Sequence, residues 1–207
     1  MIHDPALLER LGAFERERFD GEVFRATRRS LDPLAASTSG GRWAPKGLVP
    51  VLYTSLLREG ALAEITYHWS QLTPRPSRPA VLHRLGISAE RRLRLLRADL
   101  EELDVDVEQY GSVNYPRTQE IGAAVAFLGC DGLIVPCARW DCENLVLFTE
   151  NHALTSRLEV LSSDEIDWRT WAQDAGFIDP SHLDEDGGTS RGARNQANPK
   201  NQPKSID

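Results

Sequence analysis

The order of strand-like and helix-like segments most restricts the fold of this chain. Apolar runs predict strands at residues 22–26, 48–55, 81–87, 133–136, 145–149 and 159–161. Helical periodicity predicts helices at 5–19, 58–69 and 118–128, and a last helix that follows a capping box of Ser162 and Glu165. Because the two types do not alternate strictly and the strands are short, we expect an α+β fold: a single compact domain with short mixed or antiparallel sheets flanked by helices.

Length and local composition indicate one domain with a tail. The chain has 207 residues, which suits a single core. We expect an N-terminal helical segment at residues 1–21 and a compact domain at 22–178. Residues 183–207 are rich in Gly, Asn, Gln, Ser, Pro and charge, so they predict a disordered tail.

Charge and cysteine content exclude several classes of protein. A formal net charge of −7 argues against general nucleic-acid binding, although it allows a local cationic pocket. The basic run at 91–97 is followed at once by an acidic run at 99–108, which indicates a solvated face. The cysteines, at positions 130, 137 and 142, are odd in number and lack zinc-finger spacing, so we expect neither a disulfide framework nor a metal site.

The chain shows no targeting or membrane signal. Its first residues have no basic segment followed by an apolar run, and no apolar stretch approaches the length needed to span a bilayer. We therefore expect a cytoplasmic protein that does not bind membranes.

Three side chains between residues 40 and 69 could form a site. Arg42 follows two glycines, Tyr53 lies in an apolar strand, and Glu64 lies on the next helix beside small residues. A guanidinium on a glycine loop suits phosphate, an aromatic ring can stack on a base, and a carboxylate can stabilise positive charge. The alternatives are a surface arginine stacked on Trp43, an ordinary strand tyrosine and a half-exposed helix glutamate.

Three further residues are candidates on weaker grounds. Arg25 sits within a strand, so it needs a partner or a ligand if it points inward. Cys137 follows a buried strand and would need a base such as His152 to act as a nucleophile. Asn144 opens the next strand and could simply be a turn residue.

The ordered set of motifs resembles the RES domain, the toxin half of bacterial toxin–antitoxin pairs that have an Xre-type antitoxin. The matching stretches cover roughly residues 22–150 and are Phe24-Arg25, Gly41-Arg42-Trp43, Leu52-Tyr53-Thr54-Ser55, Ala61-Leu62-Ala63-Glu64, Gly122, residues 131–136, Ala138-Arg139 and residues 144–148. The family is named for an Arg, a Glu and a Ser. Arg42 and Glu64 match, whereas Cys137 takes the place of the serine and puts full activity in question.

The resemblance implies a fold, a reaction and partners. The fold would be ADP-ribosyltransferase-like, with residues 22–178 as the catalytic domain. NAD would be a substrate rather than a cofactor, and its nicotinamide–ribose bond would be cleaved by hydrolysis, phosphorolysis or ADP-ribosyl transfer. Arg42, Tyr53 and Glu64 would be catalytic, and Arg25, Arg42, Tyr53, Cys137 and Asn144 would bind NAD. The partner would be an Xre-type antitoxin, in a homodimer or a toxin–antitoxin hetero-oligomer.

Three functions remain open at this level. The first is an NAD-consuming toxin of the RES type. The second is a degenerate, non-catalytic RES domain that binds an antitoxin or a nucleotide. The third is a cysteine hydrolase that uses Cys137. The absence of a Gly-x-Gly-x-x-Gly motif counts against a dehydrogenase.

Overall fold

A computed structural model describes residues 3–177 of the chain. The helices are α1 Pro5–Ala13, α2 Arg58–Ser70, α3 Arg97–Glu102, α4 Pro116–Phe127 and α5 Trp168–Asp174. The strands are β1 Glu17–Arg28, β2 Val51–Ser55, β3 Ala80–Arg94, β4 Gly132–Pro136, β5 Glu143–Phe148 and β6 Leu158–Ile166. The predicted tail at 183–207 lies outside the described residues. Within residues 3–177, no helix has the length and apolarity needed to cross a membrane.

The strands form one mixed six-stranded sheet in the order β1-β2-β5-β4-β3-β6. All pairings are antiparallel except that of β3 with β4, which is parallel. Because β1 also pairs with β3, five of the strands close into a circuit. Mixed pairing with helices outside the sheet confirms the α+β prediction.

Two groups of helices cover the sheet. The largest apolar cluster joins α1, α3 and α4 to the sheet and includes Leu11, Trp43, Leu100, Ile121 and Val146. On another side, α2 and α5 pack through smaller clusters that contain Leu62, Ile65 and Trp168. The loop between β1 and β2 therefore enters the core through Trp43, which is 2% exposed.

The predicted first helix is too long. It was expected to reach residue 19, but α1 ends at Ala13, and Phe14 is already extended. Phe19 instead lies in β1, opposite Ala89 of β3. Helical spacing of apolar residues cannot reveal a long-range strand pairing, which decided this segment.

Two other local predictions are wrong for the same reason. Ser162 lies in β6 opposite Arg84, so it does not cap the last helix. The N-cap of α5 is Asp167, whose carboxylate accepts hydrogen bonds from the backbone N–H groups of Arg169 and Thr170. Strand β3 also runs to Arg94, beyond residue 87 where the predicted strand ends, although the arginines at 91, 94 and 97 of the basic run are exposed as expected. Arg92 and Arg94 there form ion pairs with Glu17 and Glu143.

Candidate functional site

A cavity of about 370 Å³ brings most of the candidate residues together. It lies between β1, β2, helix α2, the loop around residue 42 and the hairpin between β4 and β5. Its lining includes five of the six candidates, Arg25, Arg42, Tyr53, Glu64 and Asn144. The sixth, Cys137, is 2% exposed and contacts Glu64 from behind the wall.

Glu64 is held on α2 by neighbours on the hairpin. Its Oε1 accepts hydrogen bonds from the Asn144 amide at 3.3 Å and from the Cys137 thiol at 3.4 Å. Its Oε2 lies 3.9 Å from Nε2 of His68, one turn along the helix. The Glu64 side chain remains 30% exposed, so the carboxylate is oriented by the protein and still open to a ligand.

Cys137 is placed to support Glu64 rather than to act as a nucleophile. Its pKa is raised, first by the neighbouring sulfur of Cys142, then by burial and by the Glu64 carboxylate. His152, the base considered from sequence, instead contacts the carbonyl oxygen of Ser88 at 2.8 Å. The arrangement therefore lacks the base and the low pKa that a cysteine hydrolase would need.

Asn144 is not merely a turn residue. It is the second residue of β5, opposite Ser55 of β2 and Val135 of β4. Its Nδ2 donates to Glu64, while its Oδ1 is buried and has no hydrogen-bond partner among the described residues. An unsatisfied buried acceptor beside an open carboxylate is a feature that functional sites retain.

Arg42 is fixed by aromatic rings and a carbonyl. Its guanidinium lies 4.8 Å from the ring centroid of Tyr110 and 4.9 Å from that of Tyr115. One Nη donates to the carbonyl oxygen of Ser112 at 3.0 Å. The guanidinium lies against these two tyrosines rather than stacking on Trp43, the alternative considered from sequence. The cation is thus oriented in advance while most of its five N–H donors remain available.

Two glycines allow the loop of Arg42 to approach its neighbours closely. A Cβ at Gly41 would lie 2.6 Å from the hydroxyl oxygen of Tyr53. A Cβ at Gly122 of α4 would collide with the carbonyl oxygen of Trp43. The loop can sit between β2 and α4 only because both positions lack a side chain.

Tyr53 presents its ring to the cavity, and its hydroxyl faces the loop. The hydroxyl oxygen accepts a hydrogen bond from the backbone N–H of Trp43 at 3.2 Å. Burial raises the pKa of Tyr53 above its ordinary value. A tyrosine in this setting stays protonated, so it can pack against a ligand but is a poor general base.

Arg25 supports the loop that precedes Arg42. It donates hydrogen bonds to the carbonyl oxygens of Pro33 and Ala35, both at 3.0 Å. Burial lowers its pKa, but an arginine remains charged. The side chain therefore has the partner that the sequence required, and it also faces the cavity.

Sequence reasoning missed three lining residues, Arg139, His68 and Tyr115. The guanidinium of Arg139 lies 3.3 Å from the ring centroid of Tyr67, and its buried Nε has no hydrogen-bond partner among the described residues. The sequence held one signal for Arg139, its place in a recognised motif beside Cys137. Tyr115 precedes a helix far along the chain, and nothing local in the sequence links it to Arg42.

The cavity is cationic in an acidic protein. Among the described residues that line it are three arginines and one carboxylate, Glu64. Such a site can hold an anionic ligand along the arginines and present a single negative charge at one end.

Comparisons with known proteins agree with the fold. The chain is similar to one from the crystal structure of the M. tuberculosis MbcT–MbcA toxin–antitoxin complex, with a TM-score of 0.71 and 20% sequence identity. The match covers 82% of this chain and 97% of that chain. At this identity the likeness concerns the fold. No curated protein matches the chain.

The family model described as the RES domain matches residues 17–171. This range contains every strand of the sheet, the loop of Arg42 and the helix of Glu64. The chain therefore belongs to the RES domain family.

Proposed function

We propose that the protein is an NAD-consuming toxin of a toxin–antitoxin pair and that it cleaves the nicotinamide–ribose bond. The observation that carries this proposal is the position of Glu64. It is the one carboxylate among the described lining residues, it is oriented by Asn144 and Cys137, and it shares a cavity with three arginines. That combination suits a substrate with negative phosphates and a carbon that becomes positive during the reaction.

Glu64 supplies the electrostatic part of the reaction. When the bond between nicotinamide nitrogen and ribose C1′ breaks, the electron pair leaves with neutral nicotinamide and positive charge develops on the ribose. A fixed carboxylate in a partly dry site stabilises that charge or accepts a hydrogen bond from a ribose hydroxyl. Because Glu64 is already oriented before substrate arrives, little reorganisation is needed as the charge forms.

The arginines bind the pyrophosphate. Arg42 is set in place by Tyr110 and Tyr115, so its planar N–H groups can meet phosphate oxygens without losing much conformational freedom. Arg139, on the opposite hairpin, has an Nε without a hydrogen-bond partner in residues 3–177, and Arg25 also lines the cavity. The ring of Tyr53 packs against the nicotinamide.

The toxin assignment rests on the family and on a structural neighbour. That neighbour comes from a toxin–antitoxin complex, and we propose that this chain likewise binds an antitoxin, of the Xre type. Because the substrate is small and the cavity opens at the surface, a partner that covers the opening would block access to Glu64.

Release of nicotinamide from NAD tests the proposal directly. Purified wild-type protein should release nicotinamide, and the product formed with and without phosphate, or with a protein acceptor, identifies what receives the ADP-ribose. Induction of the wild-type chain in bacterial cells should deplete NAD and arrest growth, whereas the Glu64→Gln variant should do neither.

The replacement of the family serine by Cys137 favours one alternative, a degenerate domain that binds without catalysis. Calorimetric binding of NAD with no nicotinamide release under any acceptor condition would establish that alternative and exclude the enzyme.

A further inference from the structure

Two thiols face each other at the end of the hairpin that supports Glu64. The β4–β5 register pairs Val135 with Asn144 and Pro136 with Glu143, so the next opposed pair is Cys137 and Cys142. The backbone N–H of Cys137 donates to the carbonyl oxygen of Cys142 at 2.8 Å. Opposed residues of an antiparallel pair have Cα atoms about 4.5–5.5 Å apart, which lies within the span of about 4.4–6.8 Å that a disulfide requires.

The surroundings give the two thiols different roles. Cys142 is half-buried, and its sulfur lies 3.4 Å from the hydroxyl of Ser55. It also faces Gly60 in the first turn of α2, where a Cβ would come within 2.5 Å of the sulfur. The neighbouring sulfur of Cys137 lowers the pKa of Cys142 to about 7. Cys142 is therefore the thiolate nucleophile of the pair, and Cys137, whose pKa is raised, keeps its proton.

We propose that Cys137 and Cys142 are an oxidation site, at which a peroxide closes a disulfide across the hairpin and thereby removes the Cys137 S–H from Glu64. The Cys142 thiolate attacks one oxygen of hydrogen peroxide, the O–O bond breaks, and hydroxide leaves with a proton as water. The sulfur of Cys137 then attacks the resulting sulfenic acid, an S–S bond forms, and the second oxygen leaves as water with the Cys137 proton. Two thiols and one peroxide thus give one disulfide and two waters.

The disulfide would alter Glu64 through a single contact. In the reduced protein the Cys137 thiol donates to Glu64 Oε1 at 3.4 Å, beside the Asn144 amide. A disulfide sulfur carries no hydrogen, so Glu64 keeps only the Asn144 donor on that oxygen. Since this consequence rests on the proposed function, we expect oxidation to lower nicotinamide release on the order of tenfold, reversibly on reduction with dithiothreitol.

Intact-mass measurement tests the site without any reference to turnover. Reduced full-length protein treated with equimolar hydrogen peroxide should lose about 2 Da, the two thiol hydrogens, and proteolysis should yield the peptides of Cys137 and Cys142 joined by a disulfide. The Cys142→Ser variant should not lose this mass, and peroxide should leave its nicotinamide release unchanged. The matched control is Cys130→Ala, which removes the third thiol, buried in a separate part of the core, and should oxidise like wild type.

The outcomes separate the two proposals. An unchanged wild-type mass, or separate oxidation of single thiols without a Cys137–Cys142 link, would overturn the oxidation site. A disulfide that leaves nicotinamide release unaltered would overturn its effect on Glu64. A chain that forms the disulfide but never releases nicotinamide would support the oxidation site and contradict the proposed function.

Discussion

The cavity has two walls that are built in different ways. The loop wall consists of residues 40–43 and Tyr115, with Tyr110 behind it, and the carboxylate wall consists of Glu64 and Asn144, with Cys137 behind it. The loop wall is irregular backbone that packs closely against Tyr53 of β2 at Gly41 and against α4 at Gly122. The carboxylate wall stands on a helix and on the β4–β5 hairpin, where sheet register sets each position.

The difference suits the two walls to the two roles proposed for them, the loop wall to binding and the carboxylate wall to reaction. Arg42 in the loop wall is fixed by contacts with the rings of Tyr110 and Tyr115, as suits an anchor for phosphate. In the carboxylate wall, Glu64 Oε2 faces only a distant imidazole and Asn144 Oδ1 has no partner in residues 3–177. Spare hydrogen-bonding capacity there leaves room for groups that appear during a reaction.

Removing the charge of Glu64 should have the largest effect. We expect Glu64→Gln to lower nicotinamide release by about a hundredfold or more, because a positioned electrostatic group is lost, and to leave the melting temperature nearly unchanged. Glu59→Gln, on the same helix but outside the cavity lining, is the matched control and should retain activity. Wild-type turnover in Glu64→Gln would contradict the assignment of the reacting wall.

Filling the gap behind the loop wall should destabilise the fold. In Gly122→Ala the new methyl group meets the carbonyl oxygen of Trp43, so we expect a loss of about 1–3 kcal/mol in the free energy of unfolding. Chemical denaturation measures it. The control is Gly12→Ala in α1, where nothing lies near the added atom and helix propensity should instead stabilise the protein slightly. Equal stability of both variants would show that the loop is not wedged against α4.

Removing the anchor of the loop wall should weaken binding. We expect Arg42→Ala, made in the Glu64→Gln background, to raise the Kd for NAD by about 10–100-fold, because charge-assisted hydrogen bonds to phosphate are lost. Titration calorimetry measures the affinity. Arg97→Ala serves as the control, since Arg97 also approaches Tyr110, at 5.5 Å, but does not line the cavity. An unchanged Kd for Arg42→Ala would make Arg42 a structural residue.

Changing the donor behind Glu64 should have the smallest effect. Cys137→Ser keeps a hydrogen-bond donor. Because a hydroxyl is the better donor, nicotinamide release should stay the same or rise by roughly a few-fold at most. Cys137→Ala removes the donor and should lower nicotinamide release. A collapse of activity in the serine variant would indicate a thiolate nucleophile and restore the cysteine-hydrolase hypothesis.

Local sequence patterns were sufficient for the regular elements that carry the carboxylate wall. The helix around Glu64 was predicted within a residue of its observed ends, and the strands before Cys137 and after Asn144 were also recognised. These segments follow apolar periodicity, which reflects burial on one face. Patterns misled where pairing partners are distant, as at Phe19 and Ser162, since no local spacing encodes the register of β1 or β6 against β3.

The sequence by itself determined the α+β class, the resemblance to the RES domain and the identity of the six candidate residues, because these depend on local composition, spacing and motif order. Only the tertiary structure decided which groups surround each of them. It placed Tyr110 and Tyr115 around Arg42, turned His152 away from Cys137, and set Cys142 opposite Cys137. Such contacts join residues far apart in the chain or on facing strands, and their free energy arises only when sheet register and helix packing bring them together.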